Sequence, residues 1–412
     1  MRKVMKKVDL LILLMLFVLF NENKAAIIQA NSGSFSDVST AVESANNGDI
    51  ILLPTCSVSW NEGLSITTKG LTIIGAGIDK TIITWAGGAE TVISYTPDTP
   101  ARNYAFRISG CTIDLNSVEG AIAIKVNNPG TSTFITNIRI DNNKIINAAG
   151  NSGYALLTYG SIYGLIDNNI IENNLRTFRF LGADSYSWND PMQVGTENSL
   201  FIEDNTIATN GGILFTVSWG GRIVFRYNTV DLSNRDFNIT SIHGNSGVRG
   251  AVGAEIYENS FANVSDRSDG CRGIDIWSGT TIAFNNTCSG EETSFGIRYY
   301  DSDSLDNVNN TYVWNNTYNG TECKISDDGN GYIMEDTSWW DDYPNASDNN
   351  FISGLSENRS ETAADNDCYW ETDTRKLYRS IGTNNWTLVY EPYEYPHPMQ
   401  LQPPQKLSIV GN

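Results

Sequence analysis

Only two histidines occur in the 412 residues, His243 and His397, and their surroundings differ. His397 lies in a proline-rich tail, whereas His243 lies in SIHGNSGVRG, at the end of a short apolar-alternating run and before a glycine-containing loop. Imidazole changes charge near neutral pH and is the side chain best matched to proton transfer there. Arg249 follows six residues later, Arg222 opens the preceding run of the same kind, and Arg298 lies in a later one. A base beside guanidinium groups suits proton abstraction next to a carboxylate, because the cations stabilise the enolate that forms. The chemistry implied is β-elimination on a uronate, with His243 as base or acid and Arg249 and Arg222 as neutralising cations. A turn histidine bonded to a carbonyl, with solvated arginines at loop ends, has the same sequence signature.

Aromatic residues end several comparable runs: Tyr159, Trp219, Trp277 and Tyr300, with Gln193, Thr216, Thr240, Asp275 and Arg298 interleaved. Aromatic faces stack on sugar rings, so a line of them forms a cradle for an extended polysaccharide. Half-buried strand residues closing a turn fit the same positions. Acidic loops at Asp301, Asp303 and Asp306, and at Asp184 and Asp190, offer oxygen ligands for calcium, and serve equally as solvated surface. No cofactor is otherwise implied.

What must position these side chains is legible in the composition. The chain has 46 Asn and 36 Gly, 11% aromatics and only 18% charged residues, which is strand and turn material and excludes helical bundles. A net charge of −20 excludes nucleic-acid binding through a basic face and opposes polyanions at long range unless cations are clustered locally. One pattern recurs: apolar, any, apolar, two polar, Asn, any, apolar. It occurs at 138–145 (IRIDNNKI), 165–171, 200–207 (LFIEDNTI), 223–230, 254–261, 281–288 and 311–318. Asn143, Asn169, Asn205, Asn228, Asn259, Asn286 and Asn316 then share one column at spacings of 26, 36, 23, 31, 27 and 30 residues, with Cys111 in the Asn place of an earlier copy. Alternation on each side of the Asn marks short strands with apolar inner faces. Asn at the turn tolerates left-handed backbone and, stacked at about 4.8 Å, can bond its neighbours above and below. Coils built only of strands and turns make a parallel β-solenoid, the unequal spacings being loop insertions.

The ends differ from the coils. Arg2, Lys3, Lys6 and Lys7 precede an apolar run from Leu10 to Phe20, with small residues at Ala25, Ala26 and Ala30. Residues 1–30 therefore read as an export signal. This predicts a secreted, extracellular protein without a membrane partner once the signal is removed. Residues 36–47 (SDVSTAVESANN) predict an amphipathic capping helix with Ser36 as N-cap. Residues 31–320 form the solenoid and 321–412 an irregular C-terminal cap packed on it, in a monomer. Six Cys follow the signal. Proximity pairs Cys56–Cys111, Cys271–Cys288 and Cys323–Cys368, one of fifteen connectivities.

The opening SDVSTAVESANNGDIILLPTCSVSW, followed by GLTIIGAGIDKTIITW, resembles the start of right-handed parallel β-helix proteins of the pectin lyase-like superfamily. The resemblance covers about residues 34–320 and includes the Asn column. It implies an all-β, single-stranded right-handed parallel β-helix, a scaffold that carries lyases, hydrolases, adhesins and phage tail parts. Relatives that hydrolyse polygalacturonate carry NTD, DD and GHG motifs, and only IHG at Ile242–Gly244 is present here. The RxPxxR and WxDH stretches of pectate lyases are absent, and Lys125 and Lys144 lie far in sequence from His243, so no catalytic residue carries over. The expectation is a protein that binds and cleaves an extracellular polysaccharide, by elimination rather than hydrolysis. The alternative is a non-catalytic surface or adhesive β-helix that binds glycan or acts as a rigid spacer.

Overall fold

The structure, a computed structural model, describes residues 25–401 except 131, 191, 210, 234–239, 245–248, 265–270, 291–294, 300–305, 328–337 and 342–350. The alternating runs form short strands that sort into three long sheets by their place in the coil. Among the described residues sheet I has 12 strands, sheet II 11 and sheet III 10, each taking strands from successive coils in chain order, except that sheet II ends in the antiparallel pair Thr317–Tyr318 and Thr321–Glu322. In one coil Ile135–Asp141 belongs to sheet I, Lys144–Ile146 to sheet II and Tyr154–Tyr159 to sheet III. Successive coils pair in parallel, as where Arg139 and Asp141 lie beside Leu165 and Asp167. The chain has a parallel β-helix fold. Inward side chains from Ala30 to Trp339 fill it as one continuous apolar core.

The turn from sheet I to sheet II is the constant element, and the asparagines build it. Asn205 Nδ2 lies 3.0 Å from Glu203 O, from Ile166 O of the preceding coil and from Asn228 Oδ1 of the next. Its Oδ1 accepts Asn169 N and Asn169 Nδ2, each at 3.0 Å. The same set recurs along the column to Asn316, where Asn286 Nδ2 donates to Asn316 Oδ1 at 2.8 Å. Cys111 opens the ladder by donating its N–H to Asn143 Oδ1 at 3.1 Å. One detail differs from expectation: left-handed backbone belongs to the residue before each ladder Asn, from Asn142 (φ 53) to Asn315 (φ 53). The asparagine amide caps the turn, and its predecessor bends it.

The ends also depart from the expected boundaries. The helix, α1, spans Phe35–Ser44, and Ser34, not Ser36, caps it by accepting the Asp37 N–H at 3.2 Å. Val38, Ala41 and Val42 of α1 close the first coil. Sheet I already includes Ile27–Gln29, paired with Ile50–Leu52, and continues past residue 320 to Trp339–Asp341, whose Trp339 stays in the core although the Asn pattern has lapsed. Residues 1–24 of the expected signal lie outside the described residues.

The C-terminal region is not irregular. Phe351–Gly354, Cys368–Glu371, Lys376–Ser380 and Trp386–Tyr390 form a four-stranded sheet. Its Trp370, Leu377 and Tyr390 pack on Tyr257, Phe284 and Trp314 of sheet I's outer face. Over the coils from Leu165 onward sheet I is therefore buried on both faces, which explains its apolar strands there. The following tail is tied across the same face. Arg226, with no exposed side-chain surface, donates to the Tyr393 and Glu394 carbonyls at 2.7 and 2.8 Å, and Arg139 to Met399 O at 2.6 Å.

Two of the three expected cysteine pairs do not match this topology. Cys56 and Cys111 are thiols aligned on opposite sides of Thr81, two strand spacings or about 9.6 Å apart, beyond the reach of a disulfide. Cys323 belongs to the interior core and Cys368 to the cluster on the other side of sheet I. The Cys271 side chain lies outside the described residues. Among the described residues no helix is long and apolar enough to cross a membrane.

Two outcomes follow. Asn205→Ala strands buried donors and acceptors on both adjoining coils, so urea unfolding should show a loss of about 3–5 kcal/mol. Glu255 accepts from Tyr390 OH at 2.6 Å and Gly195 N at 2.8 Å, and burial raises its carboxyl from 4.5 to about 7. As pH rises from 4.5 to about 7 the unfolded chain releases this proton while the folded chain keeps it. The contribution is therefore present below the unfolded value and lost on the way up. Glu255→Gln should flatten that decline in Tm measured between pH 4.5 and 7.

Candidate functional site

Sheet III carries the residues singled out for chemistry, and its register arranges them in two outward columns. The first runs Lys125, Leu157, Arg179, Thr216, Ser241, Asp275 and Arg298. The second runs Tyr159, Leu181 and Ser218. His243 and Trp277 continue it, because His243 N donates to Val217 O at 2.7 Å and Trp277 N to Ile242 O at 2.9 Å. The His243 and Trp277 rings stack at 5.2 Å and 21°. Both are half-buried, as are Tyr159, Arg179 and Arg298.

Beside this face lies the turn from sheet III to sheet I, which alternates between short and long. The turns after Tyr159, Ser218 and Ile276 are short, and the segments after Leu181, Ile242 and Tyr299 are long. The described parts of the long segments meet one another. Arg249 donates to both oxygens of Asp306 at 2.7–3.0 Å, and Asp306 also accepts the Gly250 N–H at 2.7 Å. The Arg249 guanidinium lies 5.1 Å from the Trp188 ring centre, and Trp188 Nε1 donates to Gly250 O at 3.1 Å. Trp219 joins the two systems: Asp184 N donates to its carbonyl at 2.8 Å and its own N–H to Arg249 O at 3.0 Å. Its ring meets Tyr159 edge-to-face at 5.9 Å. Trp219 does this at φ 53, which a bulky aromatic residue adopts only under constraint from its surroundings. The described parts of these segments thus form a rim over the end of sheet III.

The electrostatics favour a neutral imidazole. Burial holds the His243 pKa below the usual histidine value, and the Arg179 charge adds to the effect. A neutral imidazole at pH 7 accepts a proton without first losing one. Among the described residues of the outward columns Asp275 is the one carboxylate. It is fully buried and 3.5 Å from Arg298.

The other expected site residues are placed differently. Arg222 is buried beneath the 184–190 segment, where it pairs with Asp190 at 3.3 Å, donates to Ser187 O at 2.6 Å and bonds the Asp190 carbonyl. Its charge holds that segment down and does not project from the outward columns. Arg249 belongs to the rim. Gln193 lies farther along the same segment and bonds Asn198 at 2.5 Å, outside the columns. Tyr300, Asp301 and Asp303 lie outside the described residues. Of the acidic loop positions, Asp306 is engaged by Arg249 and Asp190 by Arg222. No group of three or more His, Cys, Asp or Glu among the described residues is arranged to hold a metal ion. Sequence reasoning passed over Arg179, Trp188 and the Asp306 partnership. Aligning FRFL (178–181) with FTVS (215–218) would have placed Arg179 in the column of Thr216.

No protein-family model matches the chain, and no curated protein matches its sequence. Among solved structures it is similar to an alginate lyase from Paenibacillus, at 14% identity and a TM-score of 0.46 over 73% of this chain and 98% of that one. It is also similar to the ORF18 protein of Geobacillus virus E2, at 12% identity and a TM-score of 0.37 over 88% and 86% of the two chains. The catalytic unit of a GH87 alpha-1,3-glucanase from Streptomyces thermodiastaticus matches at 12% identity and a TM-score of 0.39 over 77% and 67%. These are likenesses of fold.

The rim is directly testable by a double-mutant cycle. Arg249→Met and Asp306→Asn should show a coupling of about 1–3 kcal/mol in urea unfolding, where independent sites would add to within about 0.5 kcal/mol.

Proposed function

We propose that the outer face of sheet III binds an extended extracellular polysaccharide along the solenoid axis and cleaves it by β-elimination. The observation that carries this reading is His243: the one histidine outside the tail, at the outward end of a strand, stacked on Trp277 and kept neutral by burial and by the Arg179 charge. Tyr159, Trp219 and Trp277 supply faces for sugar rings. In the step proposed, His243 takes the proton α to a uronate carboxyl, and the electron pair forms the new carbon–carbon double bond. The bond to the glycosidic oxygen then breaks, and that oxygen leaves as the new chain end after protonation. Arg298, in the neighbouring column, opposes the charge that builds on the carboxylate. Hydrolysis needs a pair of carboxylates about the glycosidic bond, and among the described residues of the two columns Asp275, paired with Arg298, has no second carboxylate beside it. Export follows from the basic and apolar leader in the sequence.

The test uses purified protein lacking the leader and a panel of uronate and neutral polymers, with calcium or with chelator. Shortened chains with ultraviolet-absorbing unsaturated ends are expected, with His243→Ala reducing turnover at least a hundredfold at unchanged Tm. Because the base must be neutral, the rate should fall as pH drops through a value below 6.5. Shortening without absorbance would mean hydrolysis. Binding without shortening would leave the face a glycan-binding surface, and loss on chelation would add a calcium requirement.

A further inference from the structure

In this acidic chain arginines generally meet carboxylates, as Arg139 meets Asp167 at 2.9 Å and Arg249 meets Asp306 at 2.7 Å. Two on the sheet III side do not. Arg176 and Arg179 form no ion pair among the described residues. Their nearest partner is instead shared. Arg176 Nη1 lies 3.4 Å and Arg179 Nη1 3.3 Å from the same Tyr154 hydroxyl, and Arg176 Nη2 is 3.5 Å from Asn151 Oδ1. All three contacts are long for charge-assisted hydrogen bonds. The two guanidiniums are therefore held within about 7 Å of each other with no anion between them, an arrangement that costs energy until one arrives. Lys125, also without an ion pair, stands in the same outward column as Arg179 with Leu157 between them.

We infer that Arg176 and Arg179, converging on Tyr154, form an oxyanion-binding subsite for a carboxylate or sulfate ester of the polysaccharide, with Lys125 extending it toward the first coils. In register Arg179 is separated from Ser241, two residues before His243, by Thr216 alone, so the subsite lies two coils or about 10 Å along the axis from the reacting position. It would hold a sugar unit other than the one being cleaved. The inference rests on the sheet III face being the polymer-binding face. It adds that the polymer is a polyanion gripped on the N-terminal side of His243, despite the net charge of −20.

The experiment measures binding without turnover, in the His243→Ala protein with and without Arg176→Gln and Arg179→Gln. The probes are polygalacturonate, chondroitin sulfate and neutral dextran. The double substitution should weaken polyanion binding at least tenfold and flatten its salt dependence, leaving any dextran binding unchanged. Loss for polygalacturonate alone assigns a carboxylate, and loss for chondroitin sulfate alone a sulfate ester. Removing two repelling charges should leave Tm equal or higher at low salt, whereas a structural role for the pair would lower it. Equal polyanion binding by both proteins, or a lowered Tm with unchanged affinity, overturns the subsite while leaving elimination at His243 intact. If no polymer binds either protein, the sheet III reading and the subsite both fall.

Discussion

The asparagine ladder is the constraint on which the rest of the molecule depends. A solenoid coil makes few contacts within itself, so its stability comes from the coil above and the coil below. At each sheet I to sheet II corner the ladder Asn satisfies a carbonyl of its own strand, a carbonyl of the preceding coil and the amide of the next Asn. Buried backbone groups at a turn would otherwise be unpaired in a dry interior. The amide also fixes the register, because only one alignment brings every Oδ1 to the next Asn. With this corner fixed, the sheet III to sheet I corner is free to vary in length without disturbing the stack. Coil spacings between 23 and 36 residues are the trace of that freedom.

The residue before each ladder Asn bears the cost of the bend. Asn and Gly tolerate left-handed backbone best, yet the middle of the column holds Tyr227 (φ 55) and Glu258 (φ 56). These two positions are where the C-terminal region attaches. Tyr227 stacks on Tyr395 at 3.7 Å and accepts from Arg375 at 2.9 Å, and Arg375 also reaches Glu258 at 3.2 Å. Asp204, one coil earlier, accepts from Tyr395 OH at 2.7 Å and Gln400 at 2.7 Å. Local strain at this ridge is offset by docking the strands and tail that cover sheet I.

What could be read from the sequence depended on whether a signal was local and repeated. The Asn column, the inner alternation and α1 are local, and each was legible down to the residue or nearly so. The left-handed position was misplaced by one residue because Asn fits both roles, and only the hydrogen bonds separate bender from cap. Arg222 looked like a cation for the site because it opens a coil strand. Nothing local reveals that the 184–190 segment folds back over it. Arg226 and Glu203, too, look like surface residues until the tail, more than 160 residues later, is seen lying on them. The C-terminal sheet lacks the repeat altogether, so its regularity had no counterpart to align with.

The two exposed-looking faces of the coil thus end with different fates, and their side chains explain why. Sheet I points Phe201, Tyr257, Phe284 and Trp314 outward, a surface too apolar to leave in water, and the C-terminal region covers it. Sheet III points Arg179, Thr216 and Arg298 outward, half-buried polar and charged groups that need no apolar cover. The long loops fall at the corner leading out of sheet III, so they rise as a rim beside this face. Arg249 and Asp306 tie loops from different coils to each other and to Trp219, so the rim is stiffened by contacts independent of the ladder. That face is polar, bordered on one side by a tied rim, with the stacked His243 and Trp277 rings in its outer column. The asparagines fix one corner of every coil, and the loops that distinguish one coil from the next grow from the corners they leave free.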